Sequence, residues 1–80
     1  MMVIEQQPAL SAAFTPGQTL RFSYRNWQGE LAIRTVRVIR LSYGSTEWHR
    51  EPQWLLEALD VEKGAVRMFA VRDMTPVPER

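Results

Sequence analysis

The chain predicts an all-β fold, a small five-stranded barrel, on three observations. Leu20, Phe22 and Tyr24 alternate with Arg21, Ser23 and Arg25, the period-two signature of a half-buried strand. Residues 53–74 read as two strand-like segments around Glu62-Lys63-Gly64, the outline of a β-hairpin. Turn signals return about every eight to twelve residues, a spacing that suits a small barrel or sandwich.

Residues 1–17 form an N-terminal extension. Within it, residues 8–14 carry the signals of a short helical turn, with Pro8 suited to a first helical position and Thr15-Pro16-Gly17 ending it. The domain spans 18–77. Its first strand is 18–25, followed by the turn Asn26-Trp27-Gln28-Gly29, in which Gly29 supplies a positive φ. Residues 30–41 are a longer strand whose alternation slips: Leu31 and Ile33 share one face, Val36 and Val38 the other. A bulge or bend near Thr35 is expected to restore one inward face. Residues 43–52 are the one long irregular segment, polar but holding Tyr43 and Trp48. Residues 54–61 and 65–72 are the hairpin strands, 73–77 add a short fifth, and 78–80 are a tail. With so few strands, an SH3-like or Sm-like barrel is the most economical way to bury one face and limit exposed edges.

Eighty residues allow one domain. A chain of this size buries only about 60% of its unfolded surface, so the core must be small and well chosen. There is no cysteine, which excludes disulfides and thiolate metal sites. No stretch approaches the roughly 20 apolar residues of a membrane span, so no membrane partner is expected. The segment MMVIEQQPALSAAF lacks the basic start and continuous apolar core of a signal peptide, and no basic residue precedes Arg21. A cytoplasmic protein is therefore expected. The net charge is +1, yet nine of the ten basic residues are arginine and only Lys63 is lysine. Arginine's planar fork binds phosphate or carboxylate in bidentate fashion and stacks on aromatic rings. A GC-rich genome gives the same bias, and a near-neutral total is not the footprint of a strong duplex-DNA binder.

Four short stretches, in order, carry a resemblance. Phe22-Ser23-Tyr24-Arg25, running to Gly29, is an aromatic-x-Tyr-Arg strand with a glycine turn; Arg34-Thr35-Val36 is an Arg-x-Val step. Trp54-Leu55-Leu56 matches a Trp-Tyr-Leu triplet, and Arg67-Met68-Phe69 an Arg-x-Phe. Over about residues 19–77 the chain resembles the WYL domain family, Sm-like β-barrels found mostly in bacterial transcriptional regulators and defence-associated proteins. It departs from the family at Leu55, where Tyr is usual, and at Val38, where Pro is usual. Its closing element reads Arg72-Asp73-Met74 in place of one ending in Arg-Ile. The resemblance implies a regulatory module binding a ligand in a basic, partly aromatic groove; in some members the ligand is single-stranded DNA or another nucleic acid. Members usually carry a helix-turn-helix domain as well. Eighty residues leave no room for one, so a stand-alone module is expected.

Six residues are the candidate binding set: Tyr24, Arg25, Arg34, Arg40, Trp54 and Arg67. Arg34 and Arg67 match the family's arginines and, on one face, could clamp a phosphate. The plainer role is a solvent-facing arginine or an ion pair with Asp60, Glu57 or Glu30, worth little at a surface. Trp54 either stacks on a flat ligand or anchors the core. Tyr24 follows Leu20 and Phe22 inward, for packing or for placing its hydroxyl in a groove. Within Glu47-Trp48-His49-Arg50-Glu51, a histidine between carboxylates suggests a general base or a metal ligand. Catalytic zinc needs about three protein ligands and there is no second histidine, so a polar surface loop with Trp48 folded back onto the barrel is the expectation.

The function expected is a non-enzymatic regulatory module that senses a nucleotide or single-stranded nucleic acid through a basic, aromatic groove and acts with a partner protein. No cofactor, metal or catalytic residue is assigned. The alternative is a protein-interaction or homo-oligomerisation module without a small ligand, since small barrels pair through exposed strand edges.

Overall fold

Alternation along the first strand decides which face of the sheet is buried. In the computed structural model, which describes residues 14–77, Phe22 is buried while Arg21 and Arg25 stay in solvent. Five strands follow one another: β1 (Thr19–Arg25), β2 (Leu31–Gly44), β3 (Gln53–Asp60), β4 (Ala65–Ala70) and β5 (Met74–Pro76). A single 3-10 turn, Val71–Asp73, links β4 to β5. They form one sheet in the order β4-β3-β2-β1-β5, with every neighbour antiparallel. The all-β expectation holds, and so does the hairpin, whose strands pair from Asp60 and Ala65 to Leu55 and Ala70. The helical turn expected over residues 8–14 falls, apart from Phe14, outside the described residues.

Two boundaries differ from the expectation by more than one residue. The second hairpin strand stops at Ala70 rather than residue 72, because Val71–Asp73 tightens into the 3-10 turn. The second strand runs on to Gly44, so Tyr43 pairs with Trp54 instead of opening the loop.

The bulge also lies elsewhere. The ladder between β1 and β2 is regular through Thr35, and the register slips between Val38 and Arg40, leaving Ile39 as the extra residue. Leu31 and Ile33 consequently stay on the solvent side, 60% and 45% exposed, rather than joining the core. The physical reason lies in the backbone around Val38. Its N–H donates to Gln18 O, and its carbonyl accepts from the Gly17 N–H, both at 2.8 Å. Past this attachment β2 leaves β1 and pairs only with β3, so the extra residue is accommodated where the strand changes partners.

The core is one cluster: Phe22, Val36, Val38, Leu56, Ala58 and Phe69, with Phe14, Leu20, Tyr24, Val71 and Met74 packed at its margin. Phe22 meets Phe69 edge-to-face at 5.3 Å between ring centroids, and Tyr24 meets Phe69 at 5.0 Å. These contacts join β1 to β4 by side chains, three strands apart in the sheet order. Leu55 and Ala70, a pair on the other side of the hairpin, are buried too, so both leucines of the Trp-Leu-Leu triplet are inside. Fully burying a leucine contributes about 1.5–3 kcal/mol, so Leu55 and Leu56 anchor β3 firmly in a small domain.

Candidate ligand-binding cleft

The sheet's pleat brings three charged residues to one place. Asp60 at the end of β3 faces Val36 on β2 and Ala65 on β4. Two residues further along each neighbour, on the same face, lie Arg34 and Arg67. Both guanidinium groups come within 3.7 Å of Asp60 Oδ2. The carboxylate is 1% exposed, whereas the Arg34 side chain is 25% exposed and that of Arg67 is 48% exposed. Asp60 Oδ1 accepts the Lys63 N–H at 3.2 Å, but Oδ2 and the buried Arg34 Nε have no hydrogen-bond partner. A buried carboxylate is tolerated only beside opposite charge. Two cations around one anion leave the cluster formally at +1, with both arginine side chains partly exposed.

Arg34 and Arg67 line a cleft of about 670 Å³ together with Tyr24 and Phe69. Tyr24 Oη accepts the Ala70 N–H at 3.0 Å, which holds the ring in place and leaves the hydroxyl proton free to donate. Burial pushes the Tyr24 hydroxyl above the usual tyrosine range; the Ala70 N–H opposes this, Asp73 adds to it and Arg72 lowers it. Tyr24 is therefore a neutral phenol at physiological pH. Val66 and Met68 also reach the cleft, because β4 is an edge strand and offers both its sides. Glu57 lines it as well, with its charge engaged at 3.0 Å by Arg40.

Of the six sequence candidates, Tyr24, Arg34 and Arg67 meet in this cleft, and Arg25, Arg40 and Trp54 do not line it. Arg25 is exposed and donates to the Gly29 carbonyl at 3.3 Å. Trp54 packs edge-to-face on Tyr43, 5.2 Å between centroids, where the β2–β3 ladder ends. Asp60, weighed as an ion-pair partner, proves to be the partner of both arginines.

Two loops complete the cleft with residues the sequence reading did not select. Trp27, in the β1–β2 turn, is 88% exposed; Trp48, in the β2–β3 loop, is 81% exposed. The expectation that Trp48 folds back onto the domain is thus wrong. The Thr46–His49 turn closes on itself, with His49 N–H bonded to Thr46 O at 3.2 Å and Thr46 N–H to His49 O at 2.8 Å, and this aims the indole outwards. His49 lines the cleft half-buried, and no group of three metal-ligating side chains occurs among the described residues. The available signal was a tryptophan in each of two polar loops, where no alternation gives the ring a buried face.

The fold and cleft define a small all-β domain whose surface pairs arginines with aromatic rings. The chain belongs to the WYL domain family, whose model matches residues 6–78, starting earlier than the resemblance over 19–77. Such domains are commonly regulatory ligand-binding modules, generally non-catalytic, and often bind nucleic acids or partner proteins. Comparison with curated proteins and with solved structures gives no match. Among the described residues no helix is long and apolar enough to cross a membrane.

Proposed function

We propose that this chain is a non-enzymatic regulatory module that binds a nucleotide or single-stranded nucleic acid in the Arg34–Arg67 cleft and acts with a partner protein in the cytoplasm. The edge-to-face contacts between β1 and β4 support reading the sheet as a divergent Sm-like or SH3-like barrel. The single observation behind this reading is the shared carboxylate: Asp60 holds two guanidinium groups 3.7 Å away on the wall of one cleft. Paired guanidinium forks suit phosphate oxygens, and Tyr24 adds a neutral donor in the same cleft. A net cluster charge of only +1 suits a ligand that also offers uncharged surface to Phe69 and the loops.

Binding of a labelled (dT)6 strand and of dTMP, followed by fluorescence anisotropy between 50 and 300 mM salt, tests the reading (roughly the range over which phosphate contacts lose affinity). Affinity is expected to fall with salt, and Arg34→Ala or Arg67→Ala each to flatten the slope by about 0.7. Absent binding, or binding indifferent to salt and to both substitutions, sinks the proposal.

One observation favours a second reading, an interaction or oligomerisation module. Leu31 and Ile33 stand exposed on the solvent side of β2, two residues apart on the same face. Sedimentation of wild type beside a Leu31→Ser, Ile33→Ser double variant decides it: a stable oligomer dissolved by the double change would support this reading over the first.

A further inference from the structure

Trp27 and Trp48 are costly to leave in water, and neither is part of the core. Each is held by a turn that bonds to itself. Asn26 Oδ1 accepts the N–H groups of Gln28 and Glu30, both at 2.9 Å, and the Gly29 N–H donates to Asn26 O at 2.9 Å. Thr46 Oγ1 accepts the N–H groups of Trp48 at 3.2 Å and His49 at 3.0 Å. The fold therefore fixes the backbone beneath each indole while leaving the ring uncovered. Both rings border the cleft whose wall carries Arg34 and Arg67.

We infer that Trp27 and Trp48 are base-stacking platforms, which makes the ligand a single-stranded oligonucleotide rather than a mononucleotide; this rests on the reading of the arginine cleft as a phosphate site. The rings are 88% and 81% exposed, so they stand at the rim, whereas Arg34 lies in the wall at 25% side-chain exposure. A ligand that stacks on both rim rings and reaches the arginine wall brings flat rings together with anionic groups. A single strand has that chemistry, and every base presents a π-face to an indole. A protein partner would meet the same rings as apolar anchors, but the adjacent guanidinium pair favours a polyanion.

The test compares (dT)6, an abasic hexamer with the same phosphates, and dTMP, on wild type, Trp27→Ala, Trp48→Ala and Trp27→Phe, by anisotropy at fixed salt. Stacking predicts that (dT)6 binds at least about tenfold tighter than the abasic strand, and that each alanine weakens (dT)6 by about tenfold. The alanines leave abasic binding and the salt slope unchanged, and Trp27→Phe recovers part of the loss. Because both side chains are exposed, the variants are expected to fold normally. If (dT)6 binds through the arginines but equals the abasic strand or dTMP, or ignores both tryptophans, the stacking inference falls and the phosphate site stands. If neither strand binds, both fall; dissociation of a wild-type oligomer by Trp27→Ala would then assign the rings to a protein contact.

Discussion

The phenol oxygen of Tyr24 accepts a hydrogen bond from the backbone N–H of Ala70, 46 residues away, at 3.0 Å. The bond joins β1 to the end of β4, strands that share no ladder, and it sets one wall of the cleft. Burial raises the Tyr24 pKa above 10.0, so the folded state holds the proton more tightly than the unfolded chain does. The resulting stability is full below pH about 10, the unfolded value, and is lost as pH rises through the higher folded value. Tyr24→Phe is expected to cost about 1–3 kcal/mol at pH 7, by leaving the Ala70 N–H unpaired. Urea melts at pH 7 and pH 11 check both parts: wild type should lose more between these pH values than the phenylalanine variant does.

Asp60→Asn keeps the side chain's shape and the acceptor for the Lys63 N–H but removes the charge shared by Arg34 and Arg67. Both arginines are partly exposed and can rehydrate, so the loss should be about 1–3 kcal/mol rather than that of a stranded buried charge. The cluster gains one unit of positive charge, and oligonucleotide affinity is expected to hold or rise. Denaturation together with (dT)6 titration checks this; a folded variant that has lost binding would instead make Asp60 a contact residue.

Gly29 sits at φ +84 with nothing within 4 Å of where a Cβ would stand. Gly29→Ala therefore meets only backbone strain, about 1–2 kcal/mol. Thermal melts measure the cost, and restoring glycine removes it. An unchanged Tm would mean that the turn relaxes, and with it the fixed presentation of Trp27.

Leu56 is fully buried on the core side of the hairpin, opposite Phe69. Leu56→Ala should lose about 2–5 kcal/mol through transfer and cavity terms together. In a domain this small that is a large share of total stability. Chemical denaturation is the check, and a loss under 1 kcal/mol would mean that the neighbouring rings close the cavity.

Much of the fold was legible because period-two alternation reports directly which face is buried. Leu20, Phe22 and Tyr24 point inward as their spacing indicates, and the β3–β4 hairpin turns at Lys63-Gly64 where the turn residues stand. The bulge was misplaced because hydrophobicity alone made Leu31 and Ile33 candidates for the core. The Gly17 and Gln18 backbone, which meets β2 at Val38, carries no alternation signal of its own. Arg34 and Arg67 were legible from their motifs. Their common partner was one of three acidic residues weighed, and only strand register selects Asp60.

By itself, the sequence determined an all-β domain, the paired core strands, and an arginine-for-lysine bias with rings available beside it. These follow from local preference and side-chain period, which act within a few residues. Only the tertiary structure decided that Tyr24, Arg34 and Arg67 share a cleft, that Trp54 packs on Tyr43 outside it, and that Trp27 and Trp48 stand at its edge. Those placements depend on strand register and on where β2 changes partners. Both are set by long-range backbone pairing, which leaves no periodic trace in the residues it brings together.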